Sequence, residues 1–212
     1  MASFTVADEL VGICRPAVAW LEHVTVVERD DRLNAQLTRV EQTLREHPPT
    51  DVGAVRTMYK RIGLDPTKTR PSSEALLRRV RKGDPLPRVN SLVDVCNWCS
   101  VEFQLPYGLY DAAHVQGDVT LRLGLAGESY AGIRKDDVHV AGRMTLADDL
   151  GPFGNPTSDS ARTMVTTATE RAIVLVFAPH DTRQEVLARV LDATAARMAD
   201  FTGCREVARH VG

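Results

Sequence analysis

The sequence predicts an α+β fold in which a central, mostly antiparallel sheet is flanked by helices. Three observations support this class. Apolar residues recur at helical spacing in four segments before residue 105, short β-branched runs dominate afterwards, and Gly- and Asp-bearing turns separate those runs. The 212-residue chain shows no internal repeat and no low-complexity linker. We therefore expect one domain spanning 1–212.

The N-terminal part, residues 1–53, is expected to contain a strand followed by a helix. Residues 17–27 are β-branched and apolar, which is typical of a strand. Asp30 or Asp31 could cap the helix, and Pro48-Pro49 would end it. Four apolar residues mark the buried face of this helix: Leu33, Leu37, Val40 and Leu44.

Three further helices are predicted in the next fifty residues. The first of them runs to Gly63 and carries apolar residues from Val55 to Ile62 at helical spacing. The next begins near Ser72 and ends with basic residues before Gly83. Residues 91–104 are apolar nearly all round, so we expect this helix to lie at the centre of the domain.

The second half is predicted to form most of the sheet. Strands are expected at 118–125, 138–143 and 172–178, with residues 105–111 as a loop entering the sheet. The Gly/Pro/Ser-rich segment 151–163 is either a disordered connection or a loop over a pocket mouth. A final helix over 182–199 begins at Thr182, which with Glu185 matches a capping box; it would pack on the core.

Charge is distributed unevenly along the chain. Residues 56–88 contain ten Lys/Arg against three Asp/Glu, although the whole chain has a formal net charge of −2. A locally basic face suits a phosphate or polyanion, and a solvated pair of helices explains it equally well. The residues that would contact phosphates are Lys68, Arg70, Arg78, Arg79, Arg81, Lys82 and Arg88.

Several chemistries are not supported. The sequence has no phosphate-loop, dinucleotide-binding or Gly-x-Ser-x-Gly pattern. Cys96 and Cys99 stand in an apolar helix with no second pair and no histidine at zinc spacing, so we interpret them as structural thiols. We expect no metal and no cofactor. Without an export signal or a membrane-spanning segment, a cytoplasmic protein with reduced cysteines is predicted.

Polar residues inside apolar surroundings are the best candidates for a binding site. Asn97 lies in the most apolar helix, so its amide either ties down a neighbouring loop or faces a ligand pocket. Asp94 with Ser91 fits a helix cap as well as a pocket. The residues that we expect to bind a substrate are Asn90, Asp94, Asn97, Tyr107, Gly108, Tyr110, Asp118, Ser160 and Arg162.

Two stretches carry a family resemblance. Residues 87–97 (PRVNSLVDVCN) and 105–111 (LPYGLYD) resemble the B3/B4 domain of the phenylalanyl-tRNA synthetase β subunit. The upstream run 63–74 (GLDPTKTRPSSE) is similar to freestanding bacterial members of this family. The similarity covers roughly residues 54–176. It implies an α+β domain with an internal pocket for an amino-acid side chain, and in the synthetase that domain hydrolyses tyrosine wrongly attached to phenylalanine tRNA.

The chain departs from the family pattern at three places. Synthetases carry Pro-Met-His-Ala-Phe-Asp at the turn, where this chain has Gly108 in place of the histidine. Cys96 replaces a threonine, although the adjacent asparagine survives as Asn97. A glutamate that recognises the tyrosine hydroxyl would fall near Leu175–Phe177 and is missing. The resemblance therefore implies a pocket without implying tyrosine as its substrate.

Three functions remain open from the sequence. The first is a trans-acting hydrolase of mischarged aminoacyl-tRNA, with the basic 56–88 segment holding the RNA. The second is a non-catalytic binder of a free amino acid or small metabolite, and the third is different ester or amide chemistry in the same pocket. The expected partners are tRNA or aminoacyl-tRNA and an amino-acid-like small molecule, with no membrane and no DNA. Ser158–Thr163 would help to hold water and the substrate's ammonium group.

Overall fold

The computed structural model describes residues 3–49, 53–134 and 136–212. Its helices are α1 (Asp31–Glu46), α2 (Gly53–Arg61), α3 (Ser72–Arg81), α4 (Ser91–Phe103) and α5 (Gln184–Thr202). Its strands are β1 (Phe4–Val6), β2 (Cys14–Glu22), β3 (Tyr107–Asp111), β4 (Val119–Leu123), β5 (Ser129–Ala131), β6 (Asp137–His139), β7 (Met144–Asp148), β8 (Gly151–Asn155), β9 (Ser158–Asp159), β10 (Arg171–Pro179) and β11 (Arg205–Val211).

The strands form two principal sheets instead of one central sheet. One has the order β1-β4-β7-β8-β9 and the other β11-β2-β10-β3, with β5 and β6 pairing separately. All of these pairings are antiparallel except β1 with β4. The predicted α+β class with mainly antiparallel strands is confirmed, and the division into two sheets is a difference from the single sheet expected.

The core lies around β10 and α4. β10 is buried from Ala172 to Pro179 because β2 and β3 pair with its two edges and helices cover the sheet. Such a strand has no solvent-facing side, which accounts for its unbroken apolar run. α4 packs against α3 and α5, as its all-round apolar sequence predicted.

The helix ends test the capping predictions. Asp30 caps α1 by accepting a hydrogen bond from the Leu33 N–H at 2.9 Å, as predicted. α3 begins at Ser72 and its C-cap is Lys82, also as predicted. The capping box at Thr182 is wrong, because the N-cap of α5 is Arg183 and no side chain caps this helix.

Two segments predicted as loops are ordered strands. Residues 107–111 form β3, because β10 requires a partner on its second edge and Tyr107–Asp111 supply five buried residues for it. Residues 151–159 form the β8–β9 hairpin, which has Pro156-Thr157 at its tip, and not a disordered connection. The short β1 and the C-terminal β11 were not predicted; each joins a sheet through long-range pairing.

Candidate functional site

A cavity of about 180 Å³ lies between α3, α4, β3 and the β8–β9 hairpin. It exceeds the 150 Å³ engineered cavity that holds benzene, and it is smaller than the 300–1,000 Å³ pockets that hold whole drug-sized ligands. Its volume therefore fits one amino-acid side chain. The residues that line it are Ser72, Leu76, Val93, Cys96, Asn97, Ser100, Tyr107, Leu109, Ile133, Pro156, Thr157, Ser158, Asp159 and Val165.

α4 contributes the polar wall of the cavity. The half-buried Asn97 amide makes no side-chain hydrogen bond to another described residue, so it can serve a ligand. The Ser100 hydroxyl instead donates to the Leu105 carbonyl at 2.8 Å and closes the turn after the helix. Burial raises the pKa of the Cys96 thiol well above its ordinary value. Cys96 is therefore a neutral wall residue and not a nucleophile.

The β8–β9 hairpin forms the facing wall, and Asn155 shapes its tip. The Asn155 Oδ1 atom accepts hydrogen bonds from the backbone N–H groups of Thr157 and Ser158 at 2.8 and 2.9 Å. Its Nδ2 donates to the Tyr130 hydroxyl, which in turn donates to the Ser158 carbonyl at 2.6 Å. These bonds keep the tip of the hairpin in one conformation against the cavity.

Tyr110 occupies a slot between two glycines behind this cavity. A Cβ atom added at Gly108 or at Gly154 would lie 2.6 Å from Cζ of Tyr110, closer than real Cβ atoms approach. The ring also meets Phe153 edge-on, with centroids 5.0 Å apart. Position 108 therefore has no room for the histidine of the synthetase pattern, because the Tyr110 phenol fills that volume.

Asp159 carries a carboxylate on the cavity wall beside Tyr110. Burial, followed by the charge of Asp159, raises the pKa of the Tyr110 phenol well above its ordinary value. The buried Tyr110 hydroxyl has no hydrogen-bond partner among the described residues. The Ser72 hydroxyl, which also lines the cavity, has none within the same residues.

Of the predicted substrate-binding residues, Asn97 and Tyr107 line this cavity. The Tyr107 hydroxyl pairs with the Thr194 hydroxyl of α5 at 2.9 Å, so its ring is a fixed wall. Gly108 and Tyr110 lie directly behind the cavity. A role for these four residues in ligand recognition stays a prediction.

Asn90 and Asp94 have structural positions at the start of α4. The Asn90 side chain is the N-cap and accepts from the Val93 N–H at 3.0 Å, so Ser91 is not the cap. Asp94 reaches back to the Val89 N–H at 2.8 Å, and burial raises the pKa of its carboxyl. The Asn90 carboxamide and the Asp94 carboxylate thus stabilise the N-terminal end of α4, and neither residue lines the cavity.

Three other predicted substrate residues also lie outside the cavity lining. Asp118 is exposed, accepts from the Ser3 N–H at 2.8 Å and borders a separate surface groove. The Ser160 hydroxyl accepts from the Arg162 N–H at 3.1 Å and caps a short 3-10 turn. Arg162 forms a two-bond ion pair with Asp148 at 2.9 Å. Ser160 and Arg162 follow Asp159 closely in the sequence, but like Asp118 they do not line the cavity.

The basic segment forms a groove on the other side of α3. At 3.6 residues per turn, Arg78 and Arg81 point roughly opposite to Ser72 and Leu76, which face the cavity. The residues that line the groove are Pro48, Pro49, Arg56, Arg70, Glu74, Leu77, Arg78, Arg81 and Lys82. Because a helix with side chains is about 10–12 Å across, the groove and the cavity are separate sites.

The predicted phosphate-binding cations divide into two groups. Arg70 pairs with Glu74 at 3.3 Å, Arg88 pairs with the buried Glu41 at 2.9 Å, and Arg79 donates to the Pro85 carbonyl. Arg78 and Arg81 make no ion pair with any described residue, and the same holds for Lys68 and Lys82. Four charges thus remain available to an anion, whereas Arg70, Arg79 and Arg88 already hold the fold.

Among residues 3–49, 53–134 and 136–212, no three His, Cys, Asp or Glu side chains are grouped closely enough to hold a metal ion. In the same residues no helix combines the length and apolarity that crossing a membrane requires.

The cavity-lining residues that were not predicted from the sequence lie mainly in short turns. Ser72 follows Pro71 at the start of α3, and Pro156-Thr157 form the tip of the β8–β9 hairpin. Asn155 followed by Pro156 is a turn signal that indicates a hairpin tip. Asp159 was expected only as one member of a six-residue candidate segment, and its position beside Tyr110 required the pairing of β8 with β9.

The chain is similar to known proteins over most of its length. The family model of the B3/4 domain matches residues 54–198. The phenylalanine–tRNA ligase β subunit of Paramagnetospirillum magneticum is 32% identical over 90 residues, covering 36% of this chain and 11% of that protein. The β subunit of Brucella abortus is 31% identical over 86 residues, covering 40% and 11%. The chain thus spans about a tenth of the length of these relatives.

A solved structure extends the similarity to nearly the whole fold. The crystal structure of an N-terminal fragment of the phenylalanyl-tRNA synthetase β subunit from Pyrococcus horikoshii superposes with a TM-score of 0.53. The match covers 97% of this chain and 50% of the fragment at 13% identity. At that identity the match supports a shared fold, which includes the N-terminal strands that lie outside the family match.

Proposed function

The chain belongs to the B3/4 domain family, and from this premise we propose that it binds an aminoacyl-tRNA and hydrolyses the ester that joins the amino acid to the RNA. The observation that carries the proposal is the side-chain-sized cavity with the Asn97 amide on its wall, which makes no side-chain hydrogen bond to a described residue. The relatives are β subunits of phenylalanine–tRNA ligase, proteins that act on tRNA, which makes an aminoacyl-tRNA the appropriate ligand class.

The size of the cavity indicates which part of the substrate can enter it. About 180 Å³ holds a side chain but not a whole aminoacyl-adenosine, so the ester and the ribose lie at the mouth. Asn97 and Thr157, on facing walls, offer an amide and a hydroxyl to the ester or to a water beside it. Selection of the side chain and attack on the ester therefore take place at adjacent positions.

Hydrolysis at this site depends on positioning. The oxygen of a water molecule attacks the ester carbonyl carbon, the bond to the ribose oxygen breaks, and that oxygen takes up a proton. Holding the water about 3 Å from the carbonyl supplies much of the rate for an activated ester. The neutral Cys96 thiol is not needed as a nucleophile in this scheme.

The RNA would approach across the N-terminal end of α3. Lys68 and Arg70 precede Ser72, which lines the cavity, and Arg70 also borders the basic groove. Phosphates that follow this loop would connect the cavity mouth with Arg78 and Arg81 on the far face of the helix, which pair with no described residue. Phosphate contacts of this kind weaken steeply with added salt.

Deacylation of a panel of mischarged tRNAs by the purified chain tests the proposal. We expect at least one ester to be cleared faster than in buffer, and Asn97→Ala to slow that clearance about tenfold or more. Asp118→Asn is the matched control and should retain the full rate, because Asp118 lies outside the cavity. Clearance at the buffer rate for every ester would contradict the proposal, as would an unimpaired Asn97→Ala variant.

A second candidate is a non-catalytic binder of a free amino acid. It is favoured by the opposite positions of groove and cavity on α3, since a free amino acid needs only the cavity. In that case a free amino acid should raise the melting temperature, and the triple variant Arg78→Gln/Arg81→Gln/Lys82→Gln should bind it unchanged. Loss of binding in the triple variant would contradict this alternative.

A further inference from the structure

A surface groove of about 550 Å³, which we call the Trp20 groove, lies at one end of the four-stranded sheet. No described residue lines both this groove and the cavity. Its volume is within the range of pockets that hold whole small molecules. The apolar part of its lining consists, besides Trp20 and Leu21, of Ala112, Ala113, Val115, Ala172, Ile173 and Val207.

Trp20 of β2 has a polar group that the fold leaves without a partner. The side chain lines the groove and is 9% exposed, and its Nε1–H donates to no described residue. A buried indole N–H usually has an acceptor. Trp98, the other tryptophan of the chain, follows this rule and donates to Glu102 at 2.6 Å. The Nε1–H of Trp20 is therefore a donor that a ligand in the groove can use.

Arg171 places a cation beside this indole. Ile173 is the register partner of Trp20 on β10, and Arg171 is two residues away on the same face of the strand. Diagonal neighbours at this spacing are within reach of aromatic and long side chains. Arg171 lines the groove, is exposed and makes no ion pair with any described residue. Its guanidinium and the indole can thus donate to one anionic group.

The neighbouring charges favour an anion at this position. Glu22 is the register partner of both Arg171 and Arg205, so this row across β10, β2 and β11 carries two cations and one carboxylate. Asp118, the other carboxylate of the lining, already accepts from the Ser3 N–H at 2.8 Å. The row therefore has an excess of one positive charge next to the indole.

We infer that the Trp20 groove binds an amphipathic organic anion whose carboxylate or phosphate oxygens accept from Arg171 and from the indole of Trp20. Its apolar body lies on the alanine, valine and isoleucine side chains of the lining. Among the described residues, none that lines the cavity or the basic groove belongs to this site. The inference therefore goes beyond the proposed function and does not depend on it.

Four naphthalene compounds with one apolar body and different head groups test the inference: 2-naphthoate, 2-naphthyl phosphate, 2-naphthylmethanol and 2-naphthylmethylammonium. Magnetic resonance titration of the isotopically labelled full chain follows the two tryptophan Nε1–H resonances, which Trp98→Phe assigns. We expect at least one of the two anions to shift the Trp20 resonance and to bind about tenfold or more tightly than the alcohol. The Trp98 resonance is an internal reference and should stay in place.

Variants identify the groups that bind the anion. Arg171→Gln should raise its dissociation constant about tenfold or more and leave the binding of the alcohol unchanged. Trp20→Phe keeps an apolar ring without the donor and should also weaken the anion, as measured by calorimetry. Arg189→Gln on the exposed face of α5 is the charge-matched control, and Asn97→Ala is the control for binding in the cavity. Both controls should bind the anion like the wild type.

Binding of 2-naphthoate alone, or of 2-naphthyl phosphate alone, would support the inference and identify the head group. Equal binding of the alcohol, tighter binding of the ammonium compound, or no shift of the Trp20 resonance by either anion would overturn it. Unchanged binding by Arg171→Gln would do so too, as would lost binding by a folded Asn97→Ala variant, which would place the anion in the cavity. The head-group comparison uses the wild-type protein, so its result holds even where Trp20→Phe fails to fold.

Discussion

Tyr110 and Gly108 show how two residues can change a site together. The phenol of Tyr110 fills the volume that a side chain at position 108 would need, and Gly154 leaves room on the other side of the ring. The synthetase pattern that this chain resembles has a histidine and a phenylalanine at these two positions. In this chain position 108 is a glycine and position 110 a tyrosine, so the polar group lies at position 110, where the charge of Asp159 contributes to the raised pKa of the Tyr110 phenol.

Gly108→Ala tests this steric relationship. The added methyl group would overlap the buried ring of Tyr110, so we expect the free energy of unfolding to fall by about 1–3 kcal/mol. Urea denaturation measures the change. Tyr110→Leu removes the obstructing ring. Gly108→Ala should therefore lower the free energy of unfolding by less in the Tyr110→Leu background than in the wild type. Equal costs in the two backgrounds would contradict the account.

The β8–β9 hairpin is the element on which the cavity depends most. Asn155 is 4% exposed and satisfies two backbone N–H groups at the tip while it also donates to Tyr130. The hairpin presents Pro156 through Asp159 to the cavity, and β9 borders β3. Disorder at the tip would therefore remove one wall of the site.

Asn155→Ala should accordingly affect both stability and binding. The variant leaves the Thr157 and Ser158 N–H groups without their acceptor, and we expect a loss of about 1–3 kcal/mol in urea denaturation. Asn155→Asp keeps the accepting oxygen and should lose less. An alanine variant with wild-type stability and wild-type ligand affinity would show that the tip does not need Asn155.

The ion pair between Arg56 of α2 and Glu74 of α3 should make the stability of the protein depend on pH. The hydrogen bond from Arg56 is the main cause that holds the pKa of Glu74 below its ordinary value of 4.5. A depressed carboxyl pKa contributes stability that is complete above pH 4.5 and is lost as the pH falls through the lowered value. Arg56→Gln should remove about 0.5–1 kcal/mol at pH 7.

Urea denaturation at pH 7 and at pH 3 measures this difference. The wild type should lose its advantage over Arg56→Gln in acid. Arg45→Gln on the exposed face of α1 is a charge-matched control that should show no such pH dependence. An advantage that stays constant down to pH 3 would contradict the role of the ion pair.

Among the secondary-structure elements, the sequence predicted those whose formation depends on local periodicity and capping. α1 and α3 follow from Asp30, from the apolar stripe and from the basic residues before Gly83. β3 was mistaken for a loop because Pro106 and Gly108 are turn signals, whereas pairing with β10 decides its conformation. β1 and β11 are fixed by strands distant in sequence, so no local pattern indicates them.

The whole molecule places its two candidate surfaces on opposite faces of α3. The cavity lies toward α4 and the basic groove lies toward the far side of the helix. The sequence predicted a basic segment and a pocket but could not give their relative orientation. Nor could it separate Asn97, which lines the cavity, from Asp118, because both are polar residues beside apolar runs and only the tertiary fold distinguishes them.

The basic groove should determine how strongly the affinity for tRNA depends on salt concentration. If Arg78, Arg81 and Lys82 contact phosphates, neutralising all three to Gln should reduce the slope of log K against log[salt] for tRNA by about 2–3. Filter binding between 50 and 300 mM salt measures the slope. The charge-matched triple Arg183→Gln/Arg189→Gln/Arg205→Gln changes exposed residues before, in and after α5 and should leave the slope unchanged. Identical slopes for both triple variants would exclude the groove from RNA binding.

The central claim is that the cavity between α4 and the β8–β9 hairpin holds the amino acid of an aminoacyl-tRNA. Calorimetry with non-hydrolysable 3′-aminoacylamido-adenosines tests it most directly, because binding is measured without turnover. We predict that the wild type binds at least one analogue and that Cys96→Met, which fills the cavity while keeping an apolar wall, loses that binding at an unchanged melting temperature. Equal binding by a folded Cys96→Met variant, or no binding of any analogue by the wild type, would contradict the claim.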